Sequence, residues 1–329
     1  MKNSIAIFFS LIIVCFFCVG ADGQKKPAVV KKPAPYQTIT LESSSELQTL
    51  LNAAVGETIN EKKIDFNNVA ATLIDVRDAG NLRWANVRGD EKIYPASVVK
   101  MFYMVALHQW LRDGKLKELT PELERGLKDM IVDSSNEATQ YILDVLTDTS
   151  SGGEMPKKEF EIWSYKRNVV NRYFTSLGYE RINVNQKTFC EDAYGREQQF
   201  RNYKSENRNM LNTNATARLL AEIVLGKAVN AERSKMMMDL LKREPFKEGD
   251  KDDQAHGFTG IALINKKLTG TKLWSKAGWT SKTRHDAAYI ETPDGLKFVL
   301  VVFTENMATD RDIIPMIAGK ILDKMGTVK

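Results

Sequence analysis

"YPASVVKMFYMVALHQWL", residues 94–111, decides how the rest of the chain is read. Val98, Met101, Val105 and Leu107 recur at helical spacing and mark one apolar face, while Tyr103, Gln109 and Arg112 are placed nearer to water. Ser97 opens this helix and Lys100 follows one turn on. A serine at a helix start is ordinarily a cap, but a capping box calls for Glu or Gln three residues later. A lysine in the first turn opposes the helix dipole, at about 0.3–1 kcal/mol. Capping therefore accounts for the serine and leaves the lysine unexplained. An acyl-transfer pair accounts for both. Residues three apart share a helix face, and a serine nucleophile needs an adjacent base. A lysine can be that base if burial, a second cation or the helix N-terminus lowers its pKa. The N–H groups of the same helix start can stabilise an oxyanion.

Two further stretches carry chemistry. In "MIVDSSNEATQYIL" (130–143), Ser134 and Glu137 have the spacing of a capping box. The same Ser134 could relay a proton, and Asn136 could hold a substrate amide. In "KLWSKAGWTS" (272–281), Lys276 lies near the end of an apolar strand. It would add positive potential that binds a carboxylate and depresses the pKa of Lys100. Gly278 would admit close backbone approach, or mark a bulge.

The order of elements points to an α+β fold. "SSSELQTLLNAAV" (43–55) reads as a capped helix, and "VAATLIDVRD" (69–78) with "LRWANVRG" (82–89) as a hairpin. Helices are predicted over 97–112, 121–131, 135–147, 158–177, 214–225 and 231–242. Strand signals return in "GFTGIALINKKL", "KLWSKAGW", "DAAYIET" and "LKFVLVVFTE", and a helix over about 310–325 ends the chain. The short turns between strands call for an antiparallel sheet. Its strands come from both ends of the chain, flanked by helices, with an all-helical subdomain inserted between them.

The 329 residues, 43% of them hydrophobic, suffice for a large core. A net charge of +5 without a basic stripe argues against nucleic acid. Residues 1–21 read as an export signal: Lys2, then an apolar run from Ile5 to Val19, then Val19-Gly20-Ala21 as a cleavage site. Residues 22–37, rich in Lys and Pro, read as an extended linker or tether ahead of a single domain, 38–329. The protein is thus expected outside the cytoplasm, periplasmic or extracellular, and N-terminal tethering to a membrane stays open. Cys15 and Cys18 leave with the signal, so Cys190 stays alone and is read as a small buried apolar group. His108, His256 and His285 show no metal-ligand spacing, and neither metal nor cofactor is expected.

Taken in order, Ser97-x-x-Lys100, Ser134-Ser135-Asn136 and Lys276-Ala277-Gly278 resemble the motif set of the penicillin-recognising serine hydrolases, most closely class A β-lactamases. The resemblance spans roughly residues 43–325 and implies a β-lactamase/DD-peptidase-like fold. It makes Ser97 the nucleophile, Lys100 a base or proton relay, and Ser134 the proton donor to the leaving nitrogen. Asn136 would hold the substrate side-chain amide and Lys276 the substrate carboxylate. The N–H groups of Ser97 and Trp279 would form the oxyanion hole. The implied substrate is a small β-lactam or a peptidoglycan peptide, handled by a monomer with no stable partner.

Three departures stand out. Ser135 replaces the usual Asp. Ala277 replaces the usual Thr, with Thr280, Ser281 or Arg284 as substitutes; Arg284 otherwise reads as a solvated turn charge. The stretch 180–213 lacks the E-x-x-L-N pattern that carries the deacylating base. Glu191 and then Glu197 are the positional candidates, each otherwise a solvated loop carboxylate. β-Lactam hydrolysis, D-Ala-D-Ala carboxypeptidase or other amidase or esterase action, and a non-hydrolysing β-lactam or cell-wall binding module all follow from such a site.

Overall fold

The hairpin at 69–89 seeds a sheet that the last third of the chain completes. The computed structural model describes residues 36–204 and 207–328. The leader and nearly all of the linker, through residue 35, lie outside the described residues. Strand β1 (Glu42–Ser43) leads into helix α1 (Ser45–Lys62), capped by Ser44, whose Oγ accepts from Leu47 N. Strands β2 (Val69–Asp75) and β3 (Arg83–Val87) follow, then α2 (Val99–Arg112). The inserted block holds α3 (Pro121–Ile131), α4 (Asn136–Thr147), α5 (Lys157–Arg167), α6 (Val169–Ser176), α7 (Arg196–Arg201), α8 (Thr213–Val224) and α9 (Ala231–Leu241). The chain then returns through β4 (Lys242–Arg243), α10 (Thr259–Asn265), β5 (Lys272–Trp279), β6 (Thr283–Glu291), β7 (Lys297–Glu305) and α11 (Ile313–Lys324).

The sheet order is β1-β3-β2-β7-β6-β5-β4. Every pair is antiparallel except β1–β3, a two-residue parallel edge. Both faces are covered, and alternation along each strand divides the core. Val69, Ala71 and Leu73 of β2, with Phe298, Leu300 and Val302 of β7, pack with α1 and α11 residues. Ala70 and Ile74, with Val299, Val301 and Phe303, face the helical block. This explains why these strands read as unbroken apolar runs.

Several expectations change. Helix α2 is buried all round from Val99 to Trp110, not only on one face. Tyr103 is enclosed, and its hydroxyl donates to Gln186 O at 2.7 Å. The inserted helices wrap the face that single-helix periodicity assigned to water. "GFTGIALINKKL" contains helix α10, not a strand. Short apolar runs do not separate the two by periodicity; here Ala262 and Leu263 turn inward and Asp286 accepts the Thr259 N–H at 3.1 Å. The predicted helix 158–177 breaks at Asn168 into α5 and α6. Among the described residues no helix is long and apolar enough to cross a membrane.

Candidate active site

Ser97 lies in a 3₁₀ turn, Ala96–Val98, which runs straight into α2. Neither this turn nor α2 receives a side-chain cap, so the serine is not consumed by capping. Ala96, just before it, adopts φ 46°, a left-handed conformation that costs a non-glycine residue about 1–3 kcal/mol. Ser97 itself is half-buried.

Lys100 is fully enclosed and points at the loop before α4. Its Nζ donates to Ser134 O, to Asn136 Oδ1 at 2.9 Å and to Ser134 Oγ at 3.3 Å. Lys276, equally enclosed on β5, donates to the same Ser134 Oγ at 3.0 Å. Two lysines from opposite sides thus converge on one hydroxyl. Ser134 stands at φ 58°, and it is not the α4 cap. That task falls to Ser135, whose Oγ accepts from Ala138 N at 3.0 Å and bonds Glu137 Oε2 at 3.2 Å. The expected Ser134–Glu137 capping box is therefore not formed: the cap is Ser135, whose third residue on is Ala138, and the Ser134 hydroxyl is left to the lysines.

Burial holds Lys100 far below the ordinary lysine range, at about 7, against the opposing pull of Glu137 and the Cys190 sulfur. The Lys276 ammonium is also held down, first by burial and then by the charges of Lys100 and Arg243, with Asp286 opposing. The expected route, Lys276 depressing Lys100, gives way to desolvation as the main cause. Near pH 7 Lys100 can thus receive a proton. A reaction that used this amine as its base would rise in rate with pH through about 7, because lowering the pH protonates the amine. In such a reaction Lys100→Met should remove that limb and slow the step by about 10²–10⁴-fold, read from a pH series of rate constants.

Strand β5 runs past the Ser97 turn at backbone contact. A Cβ built at Gly278 would lie 2.8 Å from Ser97 N and from Pro95 O, and 3.0 Å from Val98 N. Trp279, partly exposed, tilts against Phe258 at 5.6 Å. Ala277 is buried and its N–H donates to Gln254 Oε1 at 3.0 Å. Thr280 Oγ1 accepts from Lys282 N and Thr283 N within the β5–β6 turn, and Ser281 is exposed. Arg284 is no solvated turn charge: it is buried, donates to Gly257 O at 2.7 Å and lies 4.2 Å over the Phe258 ring.

The loop 180–213 divides its two carboxylates. Glu197 is buried, not solvated. Its oxygens accept from Arg167 at 3.0 and 2.8 Å and from Ser151 at 2.9 Å, and it faces Lys187 at 3.4 Å. Asp144 joins this cluster through Arg167 and Lys187. Removing one partner of a buried pair costs roughly 3–5 kcal/mol, and Glu197→Gln is expected to lose that much in urea unfolding. Glu191 is exposed and lines a cavity with Tyr94, Gln186 and Asn209. Cys190 is exposed rather than buried, and its sulfur accepts from Asn136 Nδ2 at 3.5 Å and faces Glu137 Oε1 at 3.9 Å. Its place beside the lysine pair had no signal in the sequence. His285 is buried against Phe303 and bonded to Tyr94 O, and among the described residues no group of three His, Cys, Asp or Glu could hold a metal ion.

The fold has solved relatives. A β-lactamase from Sphaerobacter thermophilus superposes with a TM-score of 0.60 at 20% identity, covering 85% of this chain and 98% of that one. PBP-A superposes at 0.58 with 16% identity, over 89% of this chain and 100% of its own. A β-lactamase from Chitinophaga pinensis gives 0.58 at 17% identity, over 84% and 99%. Identities this low speak for the fold alone. No match was found among curated protein sequences. The family model described as the β-lactamase enzyme family matches residues 54–325, a span that holds Ser97, Lys100, Ser134, Asn136, Lys276 and Gly278, and the chain belongs to that family.

Proposed function

We propose that the protein is a class A-like serine hydrolase that opens β-lactam rings through a covalent ester on Ser97. One observation carries the reading: Lys100 and Lys276 both meet Ser134 Oγ, and the strand that carries Lys276 abuts the Ser97 turn at Gly278. In the proposed reaction Ser97 Oγ attacks the lactam carbonyl while the neutral Lys100 amine takes its proton. The oxyanion is held by the N–H groups of Ser97 and Trp279. Ser134 gives its hydroxyl proton to the ring nitrogen as the C–N bond breaks, and is reprotonated from Lys100. Asn136 orients the side-chain amide. The arriving carboxylate favours the charged form of Lys276 and binds to it. The substrate is a small molecule bound by a monomer, exported by residues 1–21 and held off a surface by the linker.

Hydrolysis of the ester needs a base that activates water. Glu197 is committed to Arg167 and Lys187, which leaves Glu191 as the sequence candidate for activating water. That commitment favours a second reading, a D-alanyl peptidase that β-lactams trap as an acyl-enzyme; a PBP-A variant was solved as an acyl-enzyme with penicillin G. The two readings separate in one experiment. Protein mixed with benzylpenicillin is followed by intact mass and by loss of the lactam chromophore, with peptide mapping of any adduct. Rapid lactam loss with little lasting adduct supports the β-lactamase. A persistent adduct of one lactam on the Ser97 peptide supports the peptidase. Absence of both sinks acyl transfer from β-lactams.

A further inference from the structure

Gln254 belongs to none of the three motifs, yet it connects two of them. It lies in the acidic stretch before α10 and is buried. Its Nε2 donates to Ile131 O at 3.0 Å and Val132 O at 2.8 Å, the carbonyls that end α3 and lead to Ser134. Its Oε1 accepts from Lys276 Nζ at 2.7 Å and from Ala277 N at 3.0 Å. A carboxamide offers two N–H donors and two lone pairs, and all four are used. The neighbours also fix which way round it sits. Carbonyls can only accept, and an ammonium or a backbone N–H can only donate, so a flipped amide would face like groups at both ends. The side chain is therefore a strut of defined direction between the end of α3 and strand β5.

We propose that Gln254 is a positioning residue for acyl transfer: it holds the Lys276 amine on Ser134 Oγ and sets the gap between the loop that carries Ser134 and the strand that carries Lys276. This role rests on the acyl-transfer reading above. The argument is one of satisfied geometry. Lys276 has three acceptors, Ser134 Oγ at 3.0 Å, Gln254 Oε1 at 2.7 Å and Ala277 O at 2.8 Å. Two of them, from Gln254 and β5 itself, aim the amine at the third. Without the Gln254 acceptor only Ala277 O is left to aim the amine at Ser134 Oγ, and the Ile131 and Val132 carbonyls lose the donor that draws them to β5.

A double-mutant cycle tests the role. Gln254→Met matches the side chain in length without polar atoms. Acylation by benzylpenicillin is timed by intact mass and by loss of the lactam chromophore in wild type, Gln254→Met, Lys276→Met and the double variant, well below each melting temperature. A residue that acts through Lys276 costs little once Lys276 is gone, whereas a purely structural brace costs the same in either background. The expected result is a loss on the order of 10–100-fold when Lys276 is present and less than about twofold in the Lys276→Met background. If Gln254→Met does not fold, Gln254→Glu keeps the shape and enters the same cycle, where its effect on the rate should again vanish without Lys276. An equal cost in both backgrounds, with wild type acylating normally, overturns the positioning role alone. A wild type that neither gains an adduct nor consumes the lactam overturns the acyl-transfer reading, and this role with it.

Discussion

Ser97→Ala is expected to gain no mass from benzylpenicillin at any incubation time, while its stability stays within about 0.5 kcal/mol of wild type. The two halves of this result together separate chemistry from architecture. If Ser97 were a cap, its loss would cost about 1 kcal/mol. The turn Ala96–Val98 and helix α2 carry no side-chain cap, so that cost has no source. The hydroxyl is instead the oxygen that would form the ester, and an alanine offers nothing in its place. Melting by circular dichroism alongside intact-mass analysis checks both halves. An adduct on Ser97→Ala would move the nucleophile elsewhere. A native rate of lactam loss in this variant would remove Ser97 from the reaction altogether.

Gly278→Ala should produce the second large loss, by a different route. The added Cβ would meet Ser97 N, Pro95 O and Val98 N at 2.8–3.0 Å. All three atoms are backbone, so no side chain can swing aside. Either β5 withdraws or the Ser97 turn does. Overpacking of this kind costs typically about 1–3 kcal/mol. The greater effect falls on rate, because the displaced atoms include the Ser97 N–H assigned to the oxyanion. Loss of one such donor is worth about 10²–10³-fold in other acyl-transfer sites. Acylation by benzylpenicillin should therefore fall by about that factor in protein that still melts cooperatively. A wild-type rate in Gly278→Ala would show that the turn and strand have room to spare.

Much of this architecture was legible in residues 94–111 and 272–281, for a physical reason. A residue placed against its local preference is visible in a sequence. Lys100 in a first helical turn is one; it proved to be a fully buried amine aimed at Ser134. The sheet of strands from both chain ends was legible because β6 and β7 are joined by a short turn around Gly295. Other features had no such signature. The parallel β1–β3 edge involves two residues, too few for any period. Helix α10 and a buried strand share the same short apolar pattern. Gln254 is an ordinary polar residue in an acidic loop, and only three-dimensional contact reveals that all four of its hydrogen-bond sites are in use. Glu197 looked like a loop carboxylate because its partners Arg167 and Lys187 are remote or unremarkable in sequence. Cys190 could be placed beside Asn136 only by the path of the loop itself.

Strand β2 is paired along one side with β3, its neighbour in sequence, and along the other with β7, from Val69 with Thr304 to Asp75 with Phe298. That second seam has consequences for the order in which the molecule can form. A growing chain makes the hairpin early and then waits for most of its length before the partner strand arrives. Until then one edge of β2 is open to any passing strand, which is the situation that invites aggregation. Contacts of such long sequence separation also slow the search for the native state. The helical block that carries Ser134 is spliced into this delay, and its α8 packs on β2, β6 and β7. The Ser134 loop and the Lys276 strand therefore come together late, when the two ends of the polypeptide have met. Shortening the chain ahead of β7 would remove the middle strand of the sheet and leave β2 and β6 without their shared partner.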